Sequence, residues 1–197
     1  MQNPLLRSAA ALAVAAFIVA GCETPVETQR LPELTFSHLP VFQLDVAAVQ
    51  IKHAYKAPLK APHVEHLLPV APAQALEQWA KDRIKAVGTS GVAVLVIEDA
   101  RATETQLAKD TSLKGKFTKQ QSHRYDMRVR ASLELSDRVG NKRASAGANA
   151  SRSVTVREDV TLNEREKTWF TTVDQMMRDF NREMDSNVRR YMGRWIK

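Results

Sequence analysis

The chain has one cysteine, Cys22, and only 7 glycines in 197 residues. A single cysteine excludes an internal disulfide. The glycines form neither a phosphate-cradling loop nor a Gly-x-Ser-x-Gly turn for a nucleophile. No apolar run reaches the ~20 residues that cross a bilayer as a helix. Acidic residues are the scarcer charge, 22 against 29 Lys and Arg, giving a formal net charge of +7. A basic balance favours anionic partners such as phosphates, acidic glycans or anionic lipid head groups. The length suits one domain with a core large enough to need no covalent staple.

What is present begins with Met1 to Cys22, MQNPLLRSAAALAVAAFIVAGC. One positive charge, Arg7, precedes an apolar run of about a dozen residues, which is the anatomy of a secretory signal. The ending Val19-Ala20-Gly21-Cys22 resembles the lipobox of bacterial lipoproteins. The resemblance implies cleavage after Gly21, a diacylglyceryl group on the Cys22 sulfur, palmitate or a similar chain on the new amino group, and membrane attachment through these chains. The residue after the cysteine is Glu23 rather than the Asp that retains such proteins at the inner membrane. The resemblance therefore implies an outer-membrane anchor facing the periplasm, with the inner membrane as the alternative. A chain exported there meets no nucleic acid. The expected organisation is a cleaved signal peptide over 1–21, a lipidated, proline-bearing tether over 22–40, and a single domain over 41–197.

Within that domain, Val41 to Ile51 alternates as a strand whose phase changes near Ala47–Ala48, which predicts a bulge or bend there. A proline-rich connection follows over Lys52 to Ala71, with Leu67, Leu68 and Val70 expected to tuck against the core. Pro72 to Val87 reads as a helix, with proline in its first turn and Gly88 just past its end. Gly91 to Ile97 is continuously apolar, as a strand buried on both faces would be. It is expected to run on toward Leu107. His123 to Leu135 has strict period two: Tyr125, Met127, Val129, Ala131, Leu133 and Leu135 on one face, Arg124, Asp126, Arg128 and Arg130 on the other. Gly140-Asn141 marks a hairpin turn. The strand returning over Arg143 to Arg157 turns small residues inward, Ala144 to Ala150 at every second position. Arg152 falls in that apolar phase, which predicts a bulge or a sheet edge. Thr161 and Glu164 have capping-box spacing at the head of a long amphipathic helix through Tyr191. The order β-α-β-β-β-α predicts an α+β two-layer sandwich, with a four-stranded, mostly antiparallel sheet and two helices on one face.

This order, on a lipidated cysteine with a tether, resembles the lipopolysaccharide-assembly lipoproteins and the auxiliary lipoproteins of ABC-type lipid transporters. HRYDMRVRASLEL, RASAGANASRSVTV and the long terminal helix carry the likeness; the insertion Lys52 to Ala71 departs from it. The resemblance implies a non-catalytic accessory in outer-membrane lipid or lipopolysaccharide transport or assembly. The alternative is a stand-alone periplasmic lipoprotein that binds a glycan or peptidoglycan.

The chemistry-bearing residues are few. His63-Val64-Glu65-His66 offers two imidazoles and a carboxylate, but at a spacing of three, in a loop, and with no evident third ligand. No metal and no cofactor are expected. Glu98 and Asp99 are a carboxylate pair whose adjacency on a strand predicts opposite faces. No nucleophile with a base is evident, so no enzymatic activity is expected. Met176, Met177 and Met184 fit either an adaptable lipid groove or ordinary core. Lys116, Lys119, Arg124, Arg128 and Arg130 form the candidate contact for an anionic partner, either an envelope protein or an anionic lipid or glycan.

Overall fold

The computed structural model describes residues 31–108 and 120–197. The signal stretch, Cys22, Lys116 and Lys119 lie outside the described residues. The elements are β1 (Phe42–Leu44), β2 (Ala48–His53), α1 (Pro72–Arg83), β3 (Ile84–Ala86), β4 (Val92–Gln106), β5 (Gln121–Ser136), β6 (Lys142–Arg157) and α2 (Leu162–Met192). The main sheet has the order β2-β4-β5-β6. β2 and β4 run parallel across the α1 crossover, and β4, β5 and β6 form an antiparallel meander. Both helices bury their apolar sides on one face of it, and they meet where Trp79 stands edge-on to Phe180 at 5.4 Å. This is the α+β arrangement that the order of periodic segments predicts.

The predicted irregularity is a bend over Asp45, Val46 and Ala47, and it breaks the first strand in two. β1 pairs with β3 in a separate two-stranded parallel sheet, and β2 begins only at Ala48. Gly88 explains the break. A Cβ there would lie 2.6 Å from the Asp45 carbonyl carbon and 2.7 Å from the Val46 nitrogen, so this glycine lets two backbones touch. It is not the residue that ends α1. That helix stops at Arg83, because Ile84, Lys85 and Ala86 take extended pairing with β1. Ile84 and Val87 also fit a helical stripe, and a partner strand decided between the two patterns.

β4 is fully buried on one side only. Ala93, Leu95 and Ile97 are in the core, while Val92, Val94 and Val96 are half-buried on the other face among Gln50, Lys52, Ser132 and Glu134. Leu68 is buried, but Leu67 is exposed. Leu34 and Phe36, from the proline-bearing stretch, are buried too, and the Phe36 N–H donates to Asp82 Oδ2 at 2.7 Å. The inward alanines of β6 let α2 lie close. Trp169, Met176, Met177, Phe180 and Met184 fill that interface as core, so the methionines line no groove. Thr161 and Glu164 form the capping box, with the Glu164 N–H on Thr161 Oγ1 at 3.3 Å and the Thr161 N–H on Glu164 Oε2 at 3.0 Å.

α2 continues unbroken through Asp185-Ser186-Asn187, residues of weak helix propensity. Tertiary bonds hold them. Asp185 Oδ1 accepts from Arg83 at 2.7 Å, and Asn187 Nδ2 donates to the Gly147 carbonyl at 2.8 Å. β6 is a sheet edge, as Arg152 suggested. Arg152 reaches across to pair with Asp179 on α2.

Candidate functional site

Because both helices take one face of the sheet, no helix or strand among the described residues covers the other face. Arg124, Asp126, Arg128 and Arg130 stand on it in a row along β5. They are not the only charges there. β4 carries a bulge between Ile97 and Asp99: Ile97 pairs with Ala131 and Asp99 with the next residue back, Arg130. The extra residue, Glu98, shifts the phase, so Asp99 and Arg101 join the outer face and Ala100 and Ala102 stay inside. Glu98 points outward as well, with Oε1 accepting from Ser132 Oγ at 2.7 Å. The two carboxylates therefore share a face, contrary to strict alternation.

The row is partly neutralised. Arg124 grips Asp126 Oδ1 through Nε at 3.0 Å and a terminal nitrogen at 2.8 Å. Burial opposes ionisation of Asp126, but its bonds from Ser153 and Arg124 outweigh this and hold its carboxyl below the usual range. Arg128 stands directly opposite Arg101 across the two strands. Between them lies Asp99, whose Oδ2 is 3.7 Å from Arg101 Nε and 3.8 Å from Arg128 Nε. Those distances are ion pairs without hydrogen bonds. Asp99 Oδ1 is buried and has no hydrogen-bond partner among the described residues.

An open cleft of about 400 Å³ lies over this region, with His63, Arg101, Asp126, Arg128 and Ser151 among its lining residues. His63 arrives from the β2–α1 connection, which adds a short antiparallel bridge to β4 opposite Thr103. The same connection explains the histidine-glutamate motif. Glu65 Oε1 accepts from Tyr55 at 2.6 Å and from the Ala102 N–H at 3.0 Å, and lies 3.0 Å from His63 Nδ1. Burial opposes its ionisation, yet these bonds together keep its carboxyl below the ordinary glutamate range. Burial and the same carboxylate push the Tyr55 phenol up. Glu65 thus closes a gap in sheet pairing beyond the end of β2. His66 is exposed and takes no part. No group of three or more His, Cys, Asp or Glu side chains converges among the described residues.

Of the predicted contacts, the structure brings Arg124, Arg128 and Arg130 together. Sequence reasoning missed Arg101, and it singled out Asp99 and His63 for other chemistry, a carboxylate pair and a metal motif, rather than for this face. A signal for Asp99 and Arg101 on this face was present: the buried inward residues switch from odd positions, Ala93, Leu95 and Ile97, to even ones, Ala100 and Ala102. No helix among the described residues is long and apolar enough to cross a membrane.

No protein-family model matches the chain, and no curated protein does. Among solved structures it is similar to a minor lipoprotein from Acinetobacter baumannii, at 18% identity and a TM-score of 0.36, over 75% of this chain and 96% of that one. It is also similar to the rare lipoprotein B from Shewanella oneidensis, at 10% identity and a TM-score of 0.32, over 71% of this chain and 92% of that one. Likeness this loose assigns the chain neither a family nor an activity.

Proposed function

We propose that this chain is a lipid-anchored, non-catalytic lipoprotein of the cell envelope, serving as an accessory in lipid or lipopolysaccharide transport or assembly at the outer membrane. One observation carries the reading: the only cysteine ends a secretory signal behind Val19-Ala20-Gly21. Two features of the domain support it. Its uncovered face presents a row of arginines to whatever lies alongside. The polar groups beneath that face, Glu65 and Tyr55 above all, are engaged in closing the sheet, so they serve structure rather than proton transfer.

The test is crosslinking in intact envelopes, followed by identification of what the full-length acylated chain captures. Components of lipid transport or outer-membrane assembly are expected. Peptidoglycan or glycan fragments in their place would replace this reading with that of a stand-alone wall-binding lipoprotein.

A further inference from the structure

Arg101 and Arg128 face each other directly across β4 and β5. Like charges in that position destabilise a sheet. Asp99 offsets them only in part, since it stands 3.7 and 3.8 Å from their Nε atoms and hydrogen-bonds neither through them. Their side chains are 46% and 36% exposed, so both guanidinium groups reach the solvent of the cleft. Around them the cleft gathers further polar groups from other elements. Ser151 comes from β6 and His63 from the β2–α1 connection, while Ser153, also at the cleft, has its hydroxyl hydrogen on Asp126. His63 has one ring nitrogen fixed 3.0 Å from Glu65. The Asp126 carboxylate also lines the cleft, but Arg124 and Ser153 already occupy its Oδ1.

We propose that this cleft is a binding site for a phosphomonoester, with Arg101 and Arg128 as its two anchoring groups. Planar guanidinium forks match phosphate oxygens two at a time. A tetrahedral anion with three free oxygens engages donors arriving from several directions; a carboxylate, with two oxygens in one plane, engages fewer. The volume, about 400 Å³, accommodates a phosphate together with one attached sugar or glycerol unit. The bound dianion also relieves the opposition of the two arginines. The proposal rests on the reading of the uncovered face as a contact surface, and it names the chemistry that one part of that face selects.

The experiment is calorimetric titration of the full-length acylated protein in an uncharged detergent. The probes are glucose 6-phosphate, dihexanoyl phosphatidic acid, glucose and glucuronate. Both phosphomonoesters are expected to bind and glucose not to, and the tighter of the two tells a phosphosugar from a lipid head group. Arg101→Ala and Arg128→Ala, each confirmed to melt normally, are expected to weaken binding about tenfold. Arg190→Ala, on the exposed side of α2, is expected to leave it unchanged. Absence of heat with both phosphomonoesters, glucuronate binding as tightly as glucose 6-phosphate, or affinity unaltered in both cleft variants would each overturn the site. Crosslinking in envelopes fails or succeeds separately. Phosphate binding without envelope partners leaves the site and removes the accessory reading, and the converse removes only the site.

Discussion

Glu98 and Asp99 are consecutive in β4, yet both side chains lie on the uncovered face of the sheet. The bulge places them there, since the β5 partners of Ile97 and Asp99 are themselves consecutive, Ala131 and Arg130. Deleting Glu98 should therefore restore plain alternation without moving Ala100 or Ala102 out of the core. We expect that deletion to fold, with a loss of about 1 kcal/mol in denaturant melts. Deleting Val94, which has a regular partner, reverses the faces of the residues between it and the bulge and should abolish cooperative unfolding. Equal losses for the two deletions would contradict the bulge as described.

Arg83 is 1% exposed and joins the two helices. It donates to Asn181 Oδ1 and Asp185 Oδ1, each at 2.7 Å, and its guanidinium stacks 4.7 Å from the centre of the Phe42 ring. Arg83→Ala removes two charge-assisted bonds and empties the stack but leaves Asp185 paired with Arg189, whose Nε lies 2.7 Å from Oδ2, so the expected loss is about 2–3 kcal/mol. Arg83→Met keeps the packing and should cost less. A loss below ~1 kcal/mol for the alanine variant would show that the network contributes little.

Glu65 makes stability depend on acid. Its folded-state carboxyl is held below the unfolded value, so its contribution is complete above about pH 5 and is lost as pH falls through the folded value. Glu65→Gln should lower the melting temperature at about pH 7 and narrow the gap to the wild type at about pH 3. Melts across that range decide the matter, and a gap that stays constant would mean that the carboxylate charge is not what closes the strand gap.

Anchoring turns on Cys22. Cys22→Ser should stay unprocessed and take up no labelled palmitate, whereas the wild type is labelled and remains with membranes through two or three chains. Labelling of the serine variant would place the acyl chains elsewhere.

The parts of the fold set by local pattern were legible. β5 has strict alternation, α2 has its capping box and apolar stripe, and both stand where the sequence predicts. What was not legible depended on distant partners. Ile84 belongs to a strand because Phe42 lies beside it. Glu65 is a clamp because the Ala102 N–H lacks a strand partner. Arg101 enters the candidate site only through the bulge one turn of pleat earlier, and no single-strand pattern pairs it with Arg128. The alanines at 100 and 102 held the phase change, but alanine fits either face and signals it weakly.

The outer rim of β6 has a consequence for how this protein would fail. Glu183 caps the Asn149 N–H, and Asn187 caps the Gly147 carbonyl, so the last helix screens the middle of the longest bare backbone row in the sheet. Loss of the sheet is not required to expose that row. Peeling away the C-terminal half of α2 is enough, and the strand beneath, rich in Ala and Ser and free of proline, would then be ready to recruit a neighbouring chain. Aggregation would start from a molecule whose sheet is still intact, and substitutions that loosen the helix, rather than those that weaken the strands, would set its rate.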